Sequence, residues 1–205
     1  MNVSYAILTH NEGGSIETLL QKLKEFKLPG DEIVIVDDLS TDKDTTKILD
    51  RHFSSGLINR LTTKPLGNNF ANQKNFLASL CEKEYIFNID ADEVPSEDLM
   101  RFLHMTLDMN PEVDMYAVPR WNIVEGITQE HIQKWGWRVD DQKRINWPDY
   151  QMRIYKNNKQ IKWINPVHEV LNGYKQYSTL PDSMCLIHPK DIQKQEKQNS
   201  LYNQI

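Results

Sequence analysis

The stretch Tyr85-Ile86-Phe87-Asn88-Ile89-Asp90-Ala91-Asp92 decides the fold class of this chain. The run from Tyr85 to Ile89 is apolar and β-prone, which predicts a buried strand that ends at the acids. Side chains alternate along a strand, so Asp90 and Asp92 are expected on the same side. Carboxylates at the carboxyl end of a strand in an α/β protein lie where ligands usually bind, and such oxygen ligands suit Mg²⁺ or Mn²⁺. A lone pair of aspartates could instead only cap the next helix, so other parts of the chain must decide.

The first half of the chain alternates apolar strands with helical patterns. Val3 to Leu8, Glu32 to Val36 and a run near Leu57 to Thr62 are predicted strands, and helices of about a dozen residues separate them. This order predicts right-handed crossovers and a mostly parallel sheet flanked by helices. The strand ends share one edge of such a sheet. We therefore expect the polar clusters 9–12, 37–38 and 90–92 to converge on one crevice.

Composition sets broad limits on the class of protein. The chain has 205 residues and a net charge of −5, which fits one globular domain without a general attraction for nucleic acid or anionic lipid. Cys81 and Cys185 are the only cysteines, too few for a disulfide framework. No secretory signal pattern and no membrane-spanning stretch are recognisable. A soluble, cytoplasmic protein is the expectation.

The second half is less regular and contains all five tryptophans. Residues 151–156 and 161–164 suggest a hairpin, and the segment from Trp121 to Trp147 suggests a long connection that could form a lid. The polar stretch from Lys190 predicts a loose surface helix or a disordered tail. We therefore expect one domain over residues 1–205. It comprises an α/β half (1–110), an irregular half (111–189) and a polar tail (190–205).

Four blocks of sequence together resemble family 2 glycosyltransferases of the GT-A fold, which is Rossmann-like. These blocks, in the order typical of the family, span residues 6–12, 35–42, 67–75 and 89–93. The second half resembles more loosely a compact bacterial and phage subgroup, through residues 148–155, Val167-His168-Glu169 and Ile187-His188. Residues 121–147 match no family pattern.

The resemblance implies transfer of a sugar from a nucleoside diphosphate donor, usually with inversion, assisted by Mn²⁺ or Mg²⁺. Asp92 is then the expected metal ligand and His188 a further one. Asp90 is expected to bind the ribose or to contact the groups that surround the metal's ligands. Four residues match positions around the nucleoside: Thr9, Asn11, Glu12 and Asp38. A carboxylate such as Asp38 can accept a hydrogen bond from a uracil N–H, which favours a UDP-sugar.

Two further roles follow from what an inverting transfer needs. Lys74 and Arg153 are the cations expected near the diphosphate. A general base must take the proton of the acceptor hydroxyl. Glu169 is the first candidate, because it lies in the Val167-His168-Glu169 pattern, and Asp149 is the second. Each of these charged groups could alternatively be an ordinary surface residue.

Two other classes of protein, and several acceptors, stay open at this stage. A sugar nucleotidyltransferase would need a glycine-rich basic loop after the first strand, and no Lys or Arg occurs there before Lys22. A non-catalytic sugar-nucleotide or glycan-binding module would have little need of the aspartate pair. The acceptor is expected to be a surface glycan, with a protein or a small molecule as alternatives. A hydroxymethylated base in DNA is a further possibility, because basic residues alternate with tryptophans between 134 and 147.

Overall fold

The computed structural model describes residues 1–196, which fold as a central sheet with helices packed on it. The strands are β1 (Val3–Thr9), β2 (Glu32–Asp37), β3 (Arg60–Thr63), β4 (Tyr85–Asp90), β5 (Val94–Pro95), β6 (Met115–Glu125), β7 (Ile145–Lys156), β8 (Lys162–Ile164), β9 (Val170–Asn172), β10 (Tyr177–Thr179) and β11 (Leu186–Asp191). The helices are α1 (Gly13–Phe26), α2 (Lys43–Ser54), α3 (Phe70–Ser79), α4 (Glu97–Met109) and α5 (Gln129–Trp135). None of the helices in the described residues is long and apolar enough to cross a lipid bilayer.

The main sheet has the strand order β3-β2-β1-β4-β7-β6-β11-β5, with β10 added alongside β6. The first four strands are parallel, which confirms the predicted α/β class. Their register pairs Thr9 with Asp37 and Leu8 with Asp90, so the polar strand ends do lie at one edge of the sheet.

Short buried strands and capped helices build this arrangement. β1 and β2 are buried on both faces, because helices cover each side of the sheet. The inner face of α1 contributes Ile16, Leu19, Leu20 and Leu23 to the core. The side chains of Asp42, Asn69 and Ser96 accept hydrogen bonds from the first-turn N–H groups of α2, α3 and α4, and so fix where those helices begin.

The second half of the chain extends the same sheet, which is more regular than the sequence suggests. β7 is antiparallel to both β4 and β6, and β11 is parallel to β6. The predicted hairpin between residues 151–156 and 161–164 is wrong. β7 pairs with β4 and β6, whereas β8 pairs with β9. Long-range pairing outweighs the local turn signal here.

Two predicted boundaries also shift. Trp121 belongs to β6 and Trp147 to β7, so the irregular connection is shorter than expected and covers residues 126–144. The polar tail does not begin at residue 190, because β11 continues to Asp191 and residues 192–196 form a helical turn. The remainder of the predicted tail, residues 197–205, lies outside the described residues.

Candidate active site

A cavity of about 780 Å³ opens at the sheet edge where the polar strand ends meet. Its volume falls within the range of small-molecule sites, roughly 300–1,000 Å³. Ten of the eleven predicted site residues line this cavity: Thr9, Glu12, Asp38, Lys74, Asp90, Asp92, Asp149, Arg153, Glu169 and His188. The first and second halves of the chain therefore contribute to the same cavity.

Asp92 lies in the cavity among three nitrogen groups from the C-terminal part of the chain. Its Oδ2 is 3.4 Å from His188 Nε2, 3.2 Å from Lys194 Nζ and 3.8 Å from Lys190 Nζ. Burial disfavours the ionised carboxylate, but the hydrogen bond and charge of His188 and the two ammonium groups outweigh burial and hold the pKa of Asp92 well below its usual range. Asp92 is therefore a carboxylate at neutral pH.

A chain of hydrogen bonds fixes how His188 faces Asp92. Asn122 Nδ2 donates to Asp149 Oδ2 over 2.8 Å, which leaves Asn122 Oδ1 as an acceptor. His188 Nδ1 lies 2.7 Å from that oxygen and must donate to it. In the neutral ring, His188 Nε2 then presents a lone pair towards the carboxylate of Asp92. Two acceptors facing each other need a cation between them, which is a proton on Nε2 when His188 is charged, or a metal ion when the ring is neutral.

This donor set fits a divalent metal ion. Mg²⁺ and Mn²⁺ are commonly held by one or two protein ligands together with substrate phosphates and water. Asp92 and His188 would supply those two ligands, and Asn122 supplies the outer hydrogen bond that orients the imidazole. Among residues 1–196, no cluster of three or more His, Cys, Asp or Glu side chains is placed to hold a metal ion.

The other aspartate of the pair is tied to a buried network. Arg153 Nη2 donates to Asp90 Oδ2 over 2.5 Å and to Glu93 Oε1 over 2.6 Å. Glu93 is fully buried, and Arg120 bridges it to Asp149 with distances of 3.2 and 2.7 Å. Arg153 was predicted near a diphosphate, yet its charge is shared between two carboxylates. Its contacts therefore support the shape of the Asp90–Glu93 turn.

Asp149 is similarly engaged. It accepts hydrogen bonds from Arg120, Asn122 and Gln151. Burial disfavours the ionised form, but Arg120 and the donated hydrogen bonds outweigh burial and hold the pKa of this carboxyl below its usual value. A carboxylate with a lowered pKa and several donors is a weak proton acceptor, so its surroundings suit the orientation of Asn122 better than general-base catalysis.

Glu169 and Lys74 form an ion pair on another part of the cavity wall. Lys74 Nζ donates to Glu169 Oε1 over 2.5 Å and lies 4.3 Å from the centre of the Trp163 ring. Asn75 exchanges two hydrogen bonds with the backbone of Trp163, which locks α3 onto β8. The ion pair thus has a rigid support. Lys74, predicted near the diphosphate, instead holds the carboxylate of Glu169 in place.

The residues predicted around the nucleoside have distinct positions. Thr9 is buried at the end of β1, and its Oγ1 has no hydrogen-bond partner among the described residues. Asp38 accepts a hydrogen bond from the Leu66 N–H over 2.7 Å at the cavity wall. Asn11 does not line the cavity. Its Oδ1 accepts from the N–H groups of Thr41 and Asp42, so it holds the loop before α2.

The sequence model of glycosyl transferase family 2 matches residues 4–167 of this chain. The chain belongs to glycosyl transferase family 2. The matched range contains the aspartate pair, Asp149 and Arg153, whereas Glu169 and His188 lie beyond it.

Relatives of this family 2 glycosyltransferase include bacterial proteins known by sequence. An uncharacterized glycosyltransferase of Rickettsia bellii is 37% identical over 98 residues, which cover 47% of this chain and 30% of that protein. The lipopolysaccharide core biosynthesis glycosyltransferase LpsC of Rhizobium meliloti is 33% identical over 105 residues, or 50% of this chain and 38% of that protein. The chain is thus matched to only about a third of the length of each relative.

Solved structures show the same fold at lower identity. S. aureus TarS 1–349 in complex with UDP superposes with a TM-score of 0.66 at 17% identity, covering 92% of this chain and 60% of that one. The TarS complex with UDP-GlcNAc gives a TM-score of 0.65 at 18% identity over 93% of this chain and 59% of that one. The GT-A fold expected from the sequence is confirmed.

Sequence reasoning missed several residues of this family 2 site. Arg120, Asn122, Lys190 and Lys194 all contribute charged or polar groups around Asp92 or Asp149. Only Lys190 had a usable signal. Lys190 follows His188 by two positions, and side chains with this spacing lie on the same face of a strand. A strand that continued past His188 would therefore place both side chains on one side.

Proposed function

We propose that this glycosyltransferase moves a sugar from a UDP-sugar to a hydroxyl of a surface glycan, with inversion and with a divalent cation held by Asp92 and His188. The observation that supports the proposal most is the oriented His188–Asp92 pair at the end of β4. A divalent cation there would take up negative charge that develops on the departing diphosphate. The TarS structures determined with UDP and UDP-GlcNAc share this fold, which supports a uridine donor.

The residues of the chain have separate tasks in this proposal. Thr9, Glu12 and Asp38 would surround the nucleoside, since they line the cavity beside the end of β1. Asp90 would contact the ribose, because its side chain is partly exposed to the cavity while Arg153 holds it from behind. Glu169 would take the proton from the acceptor hydroxyl. Its ion pair with Lys74 keeps the carboxylate in a fixed position during attack.

A glycan acceptor is favoured over DNA by the position of one arginine. Arg144 is one of the basic residues between 134 and 147 that suggested a DNA acceptor, but its guanidinium lies 4.3 Å from the Trp147 ring and its Nε donates to Asp140 Oδ2 over 2.6 Å. These contacts reduce its ability to bind a phosphate backbone. LpsC, which is named for lipopolysaccharide core biosynthesis, supports a surface-glycan acceptor by analogy.

A cytoplasmic location is part of the same proposal. Both cysteines are free thiols buried in the protein, and burial raises the pKa of the Cys81 thiol to about 12. A thiol with such a pKa resists oxidation because little thiolate forms. Two free, buried thiols are compatible with a reducing compartment, because the fold then does not depend on a disulfide.

Donor turnover provides the direct test. The protein would be incubated with UDP-glucose, UDP-galactose or UDP-GlcNAc and Mn²⁺, and UDP release with water as acceptor would be measured. We expect slow release with one of these donors and none in EDTA. Tight donor binding without release would favour a binding module, and absence of UDP binding would overturn the proposal.

The acceptor needs a second experiment. Candidate acceptors, namely truncated lipopolysaccharide cores and hydroxymethylated DNA, would be incubated with the donor identified above and analysed by mass spectrometry. A hexose or N-acetylhexosamine mass added to the glycan is the expected result. The same mass added only to DNA would replace the proposed acceptor.

A further inference from the structure

Two lysines lie at the cavity in a segment that the sequence suggested was a solvated tail: Lys190 lines it, and Lys194 contacts two carboxylates that line it. Leu186, His188 and Lys190 are buried on one side of β11, whereas Pro189 between them is exposed. The helical turn at 192–196 then brings Lys194 back to the same side. Burial of Lys190 lowers the pKa of its ammonium group, although the charge of Asp92 opposes that effect.

The ammonium group of Lys194 bridges two carboxylates that line the cavity, and that of Lys190 lies near one of them. Lys194 Nζ lies 2.7 Å from both carboxylate oxygens of Glu12, at the start of α1, and 3.2 Å from Asp92 Oδ2. Lys190 Nζ is 3.8 Å from the same Asp92 oxygen. The segment that includes both lysines therefore lies across the sheet edge, between the predicted nucleoside side and the predicted metal ligand.

We propose that Lys190 and Lys194 form a diphosphate-binding pair, which contacts the phosphate oxygens of the donor alongside the ligands of the metal. This inference rests on the proposed function, because it concerns the donor of the same transfer. Lys74 and Arg153, the cations first expected in this role, are 6% and 3% exposed and are paired with Glu169, Asp90 and Glu93. Lys194 is 38% exposed and therefore more accessible to a ligand.

Charge balance supports this assignment. Lys194 is shared between Glu12 and Asp92, and Asp92 also contacts Lys190 and His188, so Lys194 can turn towards a diphosphate while Asp92 keeps two other partners. Ammonium groups are point charges on flexible stems, and they follow a phosphate through such a small displacement readily.

The side chain of Lys194 is also placed to move. It is 38% exposed, in contrast to the 7% exposure of Lys190. Ile192 in the same turn packs against Gly126, where an added Cβ would lie 3.2 Å from the Ile192 Cγ2 atom. The turn is thus anchored by an apolar contact while its lysine remains accessible. Lys190 would contribute a fixed charge and Lys194 an adaptable one.

The test compares binding of UDP and uridine, with calorimetry, in EDTA and in Mn²⁺. In EDTA we expect wild-type protein to bind UDP at least ten times more tightly than uridine, because the lysines recognise the phosphates without the metal. Lys194→Gln should weaken UDP binding about tenfold in EDTA and leave uridine binding unchanged. Lys194→Arg should restore most of the loss. The exposed Lys159 provides the matched control, and Lys159→Gln should bind UDP like wild type.

The outcomes separate this inference from the proposed function. If wild-type protein binds no UDP even with Mn²⁺, the proposed function fails. If wild type binds UDP and Lys194→Gln binds it equally well, the lysine pair is refuted while the transferase stands. Tighter UDP binding by Lys194→Gln would also overturn the pair, since Lys194 would then compete with the donor for Glu12 and Asp92. Lys190→Gln provides a second measurement, with the same expected loss.

Discussion

The buried carboxylate of Glu93 offers a quantitative test of how the site is supported. Its Oε1 accepts hydrogen bonds from Arg153 at 2.6 Å and from Arg120 at 3.2 Å, and its Oε2 accepts from the Asp90 N–H at 3.1 Å. The side chain is fully buried, so water cannot replace any of these contacts. Glu93→Gln removes the charge while almost preserving the volume.

The expected cost follows from these contacts. Breaking a buried ion pair from one side typically destabilises a protein by about 3–5 kcal/mol, because the remaining charge stays buried without compensation. Arg153 retains Asp90 and Arg120 retains Asp149, so both guanidinium groups keep one carboxylate. We therefore expect the lower end of that range, a loss of about 3 kcal/mol in the free energy of unfolding.

Urea denaturation followed by tryptophan fluorescence measures this loss directly. Glu97→Gln is the matched control, because Glu97 is 53% exposed and pairs with Arg101 on the surface of α4. Its loss should be at most about 0.5 kcal/mol, as is usual for exposed helix pairs. A Glu93→Gln protein within about 1 kcal/mol of wild type would refute the argument that this network supports the turn bearing Asp92.

Four further substitutions address the chemistry. Asp92→Asn should abolish transfer and most of the Mn²⁺-dependent rise in melting temperature with UDP, and wild-type turnover would contradict the metal assignment. Asn122→Leu should weaken Mn²⁺ affinity about 10–100-fold by releasing the orientation of the imidazole, and unchanged affinity in calorimetry would disprove that link. Glu169→Gln should lower turnover roughly 10²–10⁴-fold with little change in UDP affinity, and a large loss of affinity would argue for a donor contact instead. If residues 126–144 form a lid over the acceptor, UDP and Mn²⁺ should slow proteolysis within them. The double variant Trp135→Ala/Trp137→Ala should then weaken acceptor use more than donor affinity. Unaltered acceptor kinetics would show that these two rings serve only in packing.

The parallel part of the fold was predictable because its strands are short, continuous apolar runs. Burial on both faces leaves β1, β2 and β4 mostly apolar, with Ser4 and Asn88 as interior exceptions, and the polar clusters then mark the carboxyl ends of these strands. The antiparallel part has no such signal. β6 and β7 mix tryptophans with charged residues, and register shifts interrupt their pairing, so neither shows a clean alternation.

Contacts between residues distant in sequence could not be predicted, for a different reason. Lys74 and Glu169 were each identified as site residues, but their sequence positions could not show that they neutralise one another. The tail composition around Lys190 resembles a solvated surface, and only the pairing of β11 with β6 brings that lysine inside. Candidate residues follow from local motifs, whereas their division into ligands and supports depends on tertiary structure.

The two aspartates that opened the sequence argument are not equivalent in the folded protein. Asp90 is bound to Arg153 at the last position of β4, and the adjacent Glu93 holds both that arginine and the Asp90 N–H. Asp92 lies beyond the strand end and contacts groups that come from β11 and the turn after it. A shared motif therefore separates into one carboxylate that stabilises the turn and one that faces the cavity. For this reason the loss of Asp90 should weaken the turn together with donor binding, whereas the loss of Asp92 should weaken the packing of the C-terminal lysines together with donor and metal binding.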